Sequence, residues 1–392
     1  MSRRYFAACT LGLEEVLQSE LAALGATAFE PGRGGVRFAG DTRIAMAACL
    51  WLRSAIRVQE EITIDEVHSE EQLYQLVRAV RWERFLGCDD TLAVDAALRD
   101  SFLTHSRYAA QLVKDAIVDR FRDRDGRRPS VDTADPVLPV FLHLARNSAT
   151  LYVDLGGESL HKRGYRDVQV KSPLNESLAA GLLLASDWDR RSPLCDPMCG
   201  SATILIEAAW LAGDRAPGLN RRFAFERWRD FDSATWQSLL AEAKARAQRG
   251  AAAIPPLEGA DRHGGAIGIA RRSVRAAGVE RAIRLVESDV ATYVPGIAPR
   301  MVVTNPPYGE RIGEGDDLEA SWRSLGEFFR RWPGLTAWVL SGNPETTRFL
   351  RLSASRKLVV RNGPIDCRFL RYEIDADREP APMPAKKRLP GH

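Results

Sequence analysis

Long apolar runs are missing from these 392 residues. The longest stretches, such as Leu178 to Ala185, fall far short of the roughly 20 residues that a bilayer-spanning helix needs. The opening Met-Ser-Arg-Arg is not followed by the apolar segment of a signal peptide, so the chain reads as cytoplasmic. Cysteine is scarce too. Six residues, at 9, 49, 88, 195, 199 and 367, are scattered through a large chain, which argues against a disulfide scaffold and predicts reduced thiols. Cys195 and Cys199 have a metal-like spacing, but no second Cys/His pair completes a tetrahedral set nearby, and no metal is expected. An excess of one charge is also lacking: 55 Lys and Arg against 52 Asp and Glu leave +3, too little to mark a nucleic-acid binder by itself.

What is present, 45% hydrophobic and 27% charged residues, suits a globular chain of two or three domains with real cores. An α+β pattern comes first. A strand over Arg4 to Cys9 precedes a helix whose Leu13, Val16, Leu17, Leu21 and Leu24 recur at three and four, and a glycine-rich turn leads to a strand at Val36 to Phe38. From about residue 61 come a helix through Leu73, Val77 and Val80, a strand near Thr91 to Leu98, a helix with Val113, Ile117 and Phe121 on one face, and a strand pair over Pro139 to Leu155. After about residue 186 the pattern changes. Strand-like runs end at Leu194, Ala260, Val286, Val303 and Leu340, each followed by a turn and a helical segment, the alternation of a mostly parallel α/β sheet. Lys357 to Arg361 and Cys367 to Ile374, joined through Asn362-Gly363-Pro364, read as an antiparallel hairpin at the far edge. Domain boundaries are expected at 1–60, 61–157, a linker over 158–185, 186–375, and a proline-rich tail over 376–392 that is expected to be disordered.

The chemistry concentrates at strand ends. Asp196, Pro197, Met198, Cys199, Gly200 and Thr203 lie in the turn between the first parallel strand and its helix, where open α/β sheets bind ligands. Gly200 lets the backbone approach a ligand, and the helix amides can meet a carboxylate. Ser201 as a simple cap is the structural alternative. The second strand ends at Asp261, placed to accept from ribose hydroxyls, and the third at Asp289, placed to accept from an adenine amine. Directly after the apolar strand Met301 to Thr304 stands Asn305-Pro306-Pro307-Tyr308. An exocyclic base amine is a poor nucleophile because its lone pair is delocalised. The Asn305 side-chain oxygen and the Pro306 carbonyl can accept both amine hydrogens and redirect that pair, two prolines hold the loop extended, and Tyr308 offers a face for stacking. His161-Lys162-Arg163-Gly164-Tyr165-Arg166 is basic, aromatic and free of acids, which suits phosphate contact with base stacking. The arginines at 120, 122, 124, 127 and 128 alternate with acids and read as a solvated helix end. Residues 213–250, carrying Arg221, Phe223, Phe225, Arg227 and Trp228, are either a packed surface helix or an RNA-facing element.

With these residues in hand, the chain resembles the THUMP-domain class I methyltransferases, and within them the amino-terminal half of the bifunctional bacterial 23S ribosomal RNA methyltransferases. Gly12-Leu-Glu-Glu15, Lys114 to Asp119, Leu160 to Arg166, Asp196 to Gly200, Asp214 to Gly218, Asn305 to Arg311 and Asn362 to Pro364 carry the likeness. The resemblance implies a ferredoxin-like amino-terminal region, a THUMP RNA-binding domain and a Rossmann-like domain that uses S-adenosylmethionine to form N2-methylguanosine in 23S ribosomal RNA. It places Pro173 with Asp196 to Gly200, Thr203, Asp261, Asp289 and Asn305 around the cofactor, Asn305 to Tyr308 at the reacting amine, and Lys114, Lys162, Arg163, Tyr165, Arg166 and Arg311 against RNA. A monomer is expected. Ala202 stands where the family usually has a second glycine, and His263 where a second acid often follows. The chain ends after the hairpin, without the second half that forms 7-methylguanosine in the fused enzymes, so that activity is expected to be absent. A fragment from about residue 165 is expected to keep cofactor binding by itself. Three rival readings stay open: an amine methyltransferase acting on tRNA or DNA, a catalytically silent RNA-binding assembly factor, and an NAD oxidoreductase, the last weakened by a single glycine where a dinucleotide fingerprint wants three.

Overall fold

The computed structural model describes residues 2–166, 174–307 and 318–383. It divides into two compact units. The first takes in the chain as far as Cys9, Leu17–Leu160 and Gly218–Glu242; the second takes in Thr10–Val16, His161–Pro217 and the chain from Ala243 on. Among the described residues no helix is long and apolar enough to cross a membrane.

The first unit is built on β1 (Arg3–Cys9), α1 (Glu14–Ala23), β2 (Thr27–Gly32), β3 (Gly35–Gly40), α2 (Thr42–Trp51), β4 (Ala55–Glu66), α3 (Glu70–Ala79), β5 (Thr91–Arg99), α4 (Ser106–Asp125), β6 (Ser130–Val131), β7 (Leu138–Ala145) and β8 (Ser148–Asp154). Local rules set the helix ends. Asp41 and Ser69 accept the Ile44 and Gln72 amides at the starts of α2 and α3, and Gly126, with φ of 67°, stops α4. All eight strands form one sheet in the order β2-β3-β1-β4-β8-β7-β5-β6. The joint is β4, whose Ala55–Glu60 pair with β1 and whose Gln59–Glu66 pair with β8. The boundary expected at residues 60 and 61 therefore falls inside a continuous strand. Nothing in the sequence pattern marked α2, because Ala45 to Leu50 are all buried and a helix that is apolar on every side has no period to read.

The second unit adds α5 (Glu176–Ala185), β9 (Leu194–Asp196), α6 (Thr203–Ala212), β10 (Leu257–Asp261), α8 (Gly264–Ala276), β11 (Ile283–Glu287), β12 (Met301–Thr304), α9 (Leu318–Arg330), β13 (Thr336–Ser341), β14 (Arg356–Asn362) and β15 (Ile365–Glu373). Helix α7 (Ser233–Gly250) begins in the first unit and ends in the second. The seven-stranded sheet runs β11-β10-β9-β12-β13-β15-β14, parallel throughout except for β15, which is antiparallel to β13 and β14. Trp322, Leu325, Phe328 and Phe329 of α9 pack with Val302, Ala337 and Val339 of β12 and β13. Strand order reverses direction beside β9, the switch point at which such sheets take ligands at their carboxyl edge.

Two departures from the sequence reading concern connectivity. Residues 218–242, expected inside the α/β domain, group with the amino-terminal unit, where Phe223 and Phe225 stack, Trp236 meets both edge-on, and Trp228 meets Phe85 edge-on with ring centres 4.9 Å apart. Thr10–Val16 in turn belong to the second unit, where the Arg361 amide donates to the Leu11 carbonyl at 3.1 Å. The tail expected to be disordered from residue 376 is described to Met383, and the Ala381 amide donates to the Arg330 carbonyl at 3.1 Å; residues 384–392 lie outside the described residues.

Candidate active site

Four strands bring their carboxyl ends to one edge: β9 at Asp196, β10 at Asp261, β11 at Glu287 and β12 at Thr304. The turn after β9 is fixed by backbone amides. Met198 donates to Asp196 Oδ1 at 3.2 Å, Cys199 to the Ala260 carbonyl at 2.8 Å, and Gly200 to Asp261 Oδ2 at 3.0 Å. Gly200 and Ala202 both adopt left-handed backbone, with φ of 51° and 63°. An alanine is strained there by roughly 1–2 kcal/mol, which explains why a glycine suits this position. Helix α6 then starts at Thr203 without a side-chain cap, so its first amides remain available to an anion.

Asp261 spends one lone pair of each oxygen on this turn, the second bond coming from the His263 amide at 2.9 Å, and each oxygen keeps another for a ligand. Asp289 lies two residues beyond β11, exposed, with Oδ1 accepting the Ala291 amide at 2.8 Å. The loop that carries it is tethered by a residue to which the sequence reading gave no role. Buried Glu258 accepts the Gly296 and Ile297 amides at 2.9 and 3.1 Å, Tyr293 Oη at 3.3 Å and Arg284 at 3.0 Å. The signal available was a glutamate inside an otherwise apolar strand.

Asp196 is only 2% exposed. Burial pushes its carboxyl up to about 7, the charge of Asp261 adds to the shift, and the Thr304 hydroxyl and Met198 amide oppose it. Burial likewise raises the Cys195 and Cys199 thiols, which makes them poor nucleophiles. One strand over, Asn305 Oδ1 is buried and has no hydrogen-bond partner among the described residues. Such an acceptor is costly to leave unmet. Pro306 is buried, and the Pro307 carbonyl accepts Trp322 Nε1 at 3.0 Å, which anchors the loop to α9. Pro173, Tyr308 and Arg311 lie outside the described residues.

The RNA-facing expectation needs correction at three positions. Arg163 and Tyr165 are buried and face Glu207 in the middle of α6, at 3.5 Å from the Arg163 Nε and 3.0 Å from the tyrosine hydroxyl. Arg166 is turned toward Thr203, Leu174 and Glu176. A strip of basic and aromatic residues that answers a buried carboxylate looks, in sequence, like one that answers phosphate. Lys162 is exposed. Lys114 pairs with Asp115 and, with Arg107 and Gln111, lines a cavity of about 290 Å³ between α4 and the strands β5 and β6. In the 218–242 segment the aromatic residues are core, Arg221 is held by the Ser159 and Glu158 carbonyls, and Arg227 by Asp135, which favours the packed reading.

Three family models match the chain in succession: an RlmL ferredoxin-like domain over residues 4–59, a THUMP domain over 67–154, and an RMKL-like methyltransferase domain over 163–371. The chain is 42% identical over 385 residues to the ribosomal RNA large subunit methyltransferase K/L of Syntrophotalea carbinolica, and 40% identical over 384 residues to that of Methylococcus capsulatus. Each match covers 96% of this chain but only 54% and 52% of the relative, so the chain spans about half the length of these relatives. Among solved structures, SMU.472, named as a methyltransferase and complexed with SAH, superposes with a TM-score of 0.87 at 28% identity, covering 95% of this chain and 98% of that one. A predicted N6-adenine-specific DNA methylase from Listeria monocytogenes superposes with 0.86 at 29%, covering 95% and 97%.

Proposed function

Since the chain belongs to the RMKL-like methyltransferase family and carries a THUMP domain, we propose that it transfers a methyl group from S-adenosylmethionine to an exocyclic base amine of 23S ribosomal RNA, guanine N2 being the target. The observation that carries the chemistry is the buried Oδ1 of Asn305 at the end of β12, which has no hydrogen-bond partner among the described residues. The residues fit the cofactor. Asp196 supplies a carboxylate for its ammonium, the uncapped amides of α6 a place for its carboxylate, Asp261 the acceptors for its ribose hydroxyls, and Asp289 an acceptor for its adenine amine.

When bound, S-adenosylmethionine supplies a methyl on a sulfonium; the N–C bond forms as the S–C bond breaks, and the surplus amine proton goes to solvent. Asn305 Oδ1 and the Pro306 carbonyl accept the two amine hydrogens and aim the nitrogen lone pair. The tie from Trp322 to the Pro307 carbonyl keeps that loop from drifting. Orientation of this kind contributes roughly 7–11 kcal/mol, so the chain has no need of an acidic nucleophile.

The test is methyl transfer to 23S ribosomal RNA transcripts, read by nucleoside mass spectrometry, with N2-methylguanosine expected. Asn305→Ala should lower turnover by roughly two to four orders of magnitude while leaving cofactor affinity nearly unchanged, and Asn305→Asp should recover part of the rate by restoring an acceptor. An alanine variant with near-normal turnover would sink the amine mechanism. A different methylated nucleoside would move the target but keep the mechanism if it carried the methyl on an exocyclic amine.

A further inference from the structure

We propose that Arg166 is a positioning residue for the cofactor turn, tying the amino-terminal ends of α5 and α6 together where the methionine end of S-adenosylmethionine would lie; this rests on the methyl-transfer reading above. Among the described residues its guanidinium makes three contacts. One Nη2 donates to the Leu174 carbonyl at 2.6 Å and to Thr203 Oγ1 at 2.5 Å, and Nη1 stands 3.1 Å from Glu176 Oε1. Leu174 immediately precedes Asn175, whose side chain caps α5 through the Ser177 and Leu178 amides; Glu176 is the first residue of that helix, and Thr203 the first of α6. One planar side chain thus spans two helix starts.

Its surroundings show why this tie bears on the turn. Thr203 and Glu207 are four apart and share one face of α6. The 163–166 segment lies along that face, with Arg163 and Tyr165 at Glu207 and Arg166 at Thr203. Gly164, at φ of 85°, makes the bend. The first turn of α6 has no side-chain cap and follows left-handed Ala202, so it lacks the usual local device for fixing a helix start. A lone cation beside a helix amino terminus is unfavourable, and Glu176 offsets this one. With its side chain only 16% exposed and its donors directed inward, Arg166 has little left to offer a phosphate.

The experiment compares Arg166→Lys and Arg166→Ala with the full chain, measuring S-adenosylmethionine affinity by calorimetry, 23S ribosomal RNA affinity and its salt slope by filter binding, and kcat against KM for each substrate. Lysine keeps the charge for Glu176 but loses the fixed fork of donors. Arg166→Lys should therefore weaken cofactor binding about tenfold, the loss of one charge-assisted hydrogen bond, while RNA affinity, salt slope and kcat at saturating cofactor hold. Arg166→Ala should lose more. If Arg166→Ala does not fold, the lysine variant carries the test. Unchanged cofactor affinity in a folded Arg166→Lys protein overturns the proposal, and a flattened salt slope with normal cofactor affinity would return Arg166 to the RNA interface. Failure of the unsubstituted chain to bind S-adenosylmethionine would instead overturn the methyl-transfer reading.

Discussion

The role proposed for Asp196 would fall to a carboxylate in an unusual state. Pushed up to about 7 from an ordinary 3.8, it holds a proton in the folded chain that the unfolded chain has already lost between about pH 4 and 7. Its contribution to stability is therefore present below about pH 4 and lost as pH rises through about 7. Pairing with an ammonium requires the ionised form, so cofactor affinity should fall by up to about tenfold per pH unit below 7, and binding near neutrality should release a proton. Calorimetry between pH 5.5 and 8 in buffers of different ionisation enthalpy checks this; a flat profile would remove Asp196 from the ammonium site. The placement of Asp196, Asp261 and Asn305 at one sheet edge was legible because a polar residue directly after an apolar run marks a strand end. Arg163, Tyr165 and Arg166 were not, since the acid that answers Tyr165 stands 42 residues further on and nothing local announces it.

At the scale of elements, the strand ends expected at Leu194, Ala260, Val286, Val303 and Leu340 fall one or two residues short of the ends of β9 to β13, because buried parallel strands write themselves as apolar runs. The pairings that close the sheets were less visible. The open edge of β14 meets Leu11 and Gly12, and Gly12 has φ of 92° with its α-carbon so close to the Val359 carbonyl that a methyl would collide with it. The Gly12-Leu13 pair looks in sequence like the start of α1; in the structure it covers an edge strand, with Leu13 buried against Gly181. Gly12→Ala should cost at least about 2 kcal/mol, from left-handed strain and displacement of β14 together. Chemical denaturation would measure it, and a loss within experimental error would show that this segment is dispensable to the sheet.

For the molecule as a whole, neither compact unit is a continuous stretch of chain. The expectation that a fragment from residue 165 binds cofactor unaided is revised accordingly. Such a fragment lacks Thr10–Val16, leaving the outer edge of β14 uncovered and a void at Gly181, and it strands Phe223, Phe225, Trp228 and Trp236 without the first unit's core. It should aggregate or melt without cooperativity; a soluble fragment with full-length cofactor affinity would refute this. Composition and periodicity report on elements in order, and they carry no record of a segment that leaves one core for another. The consequence reaches back to synthesis. The amino-terminal unit is missing part of its core until Glu242 has been translated, about 80 residues after Leu160. At 5–20 residues per second that is a wait of roughly 4–16 s, during which Phe85 lacks its Trp228 partner as the nascent chain lengthens.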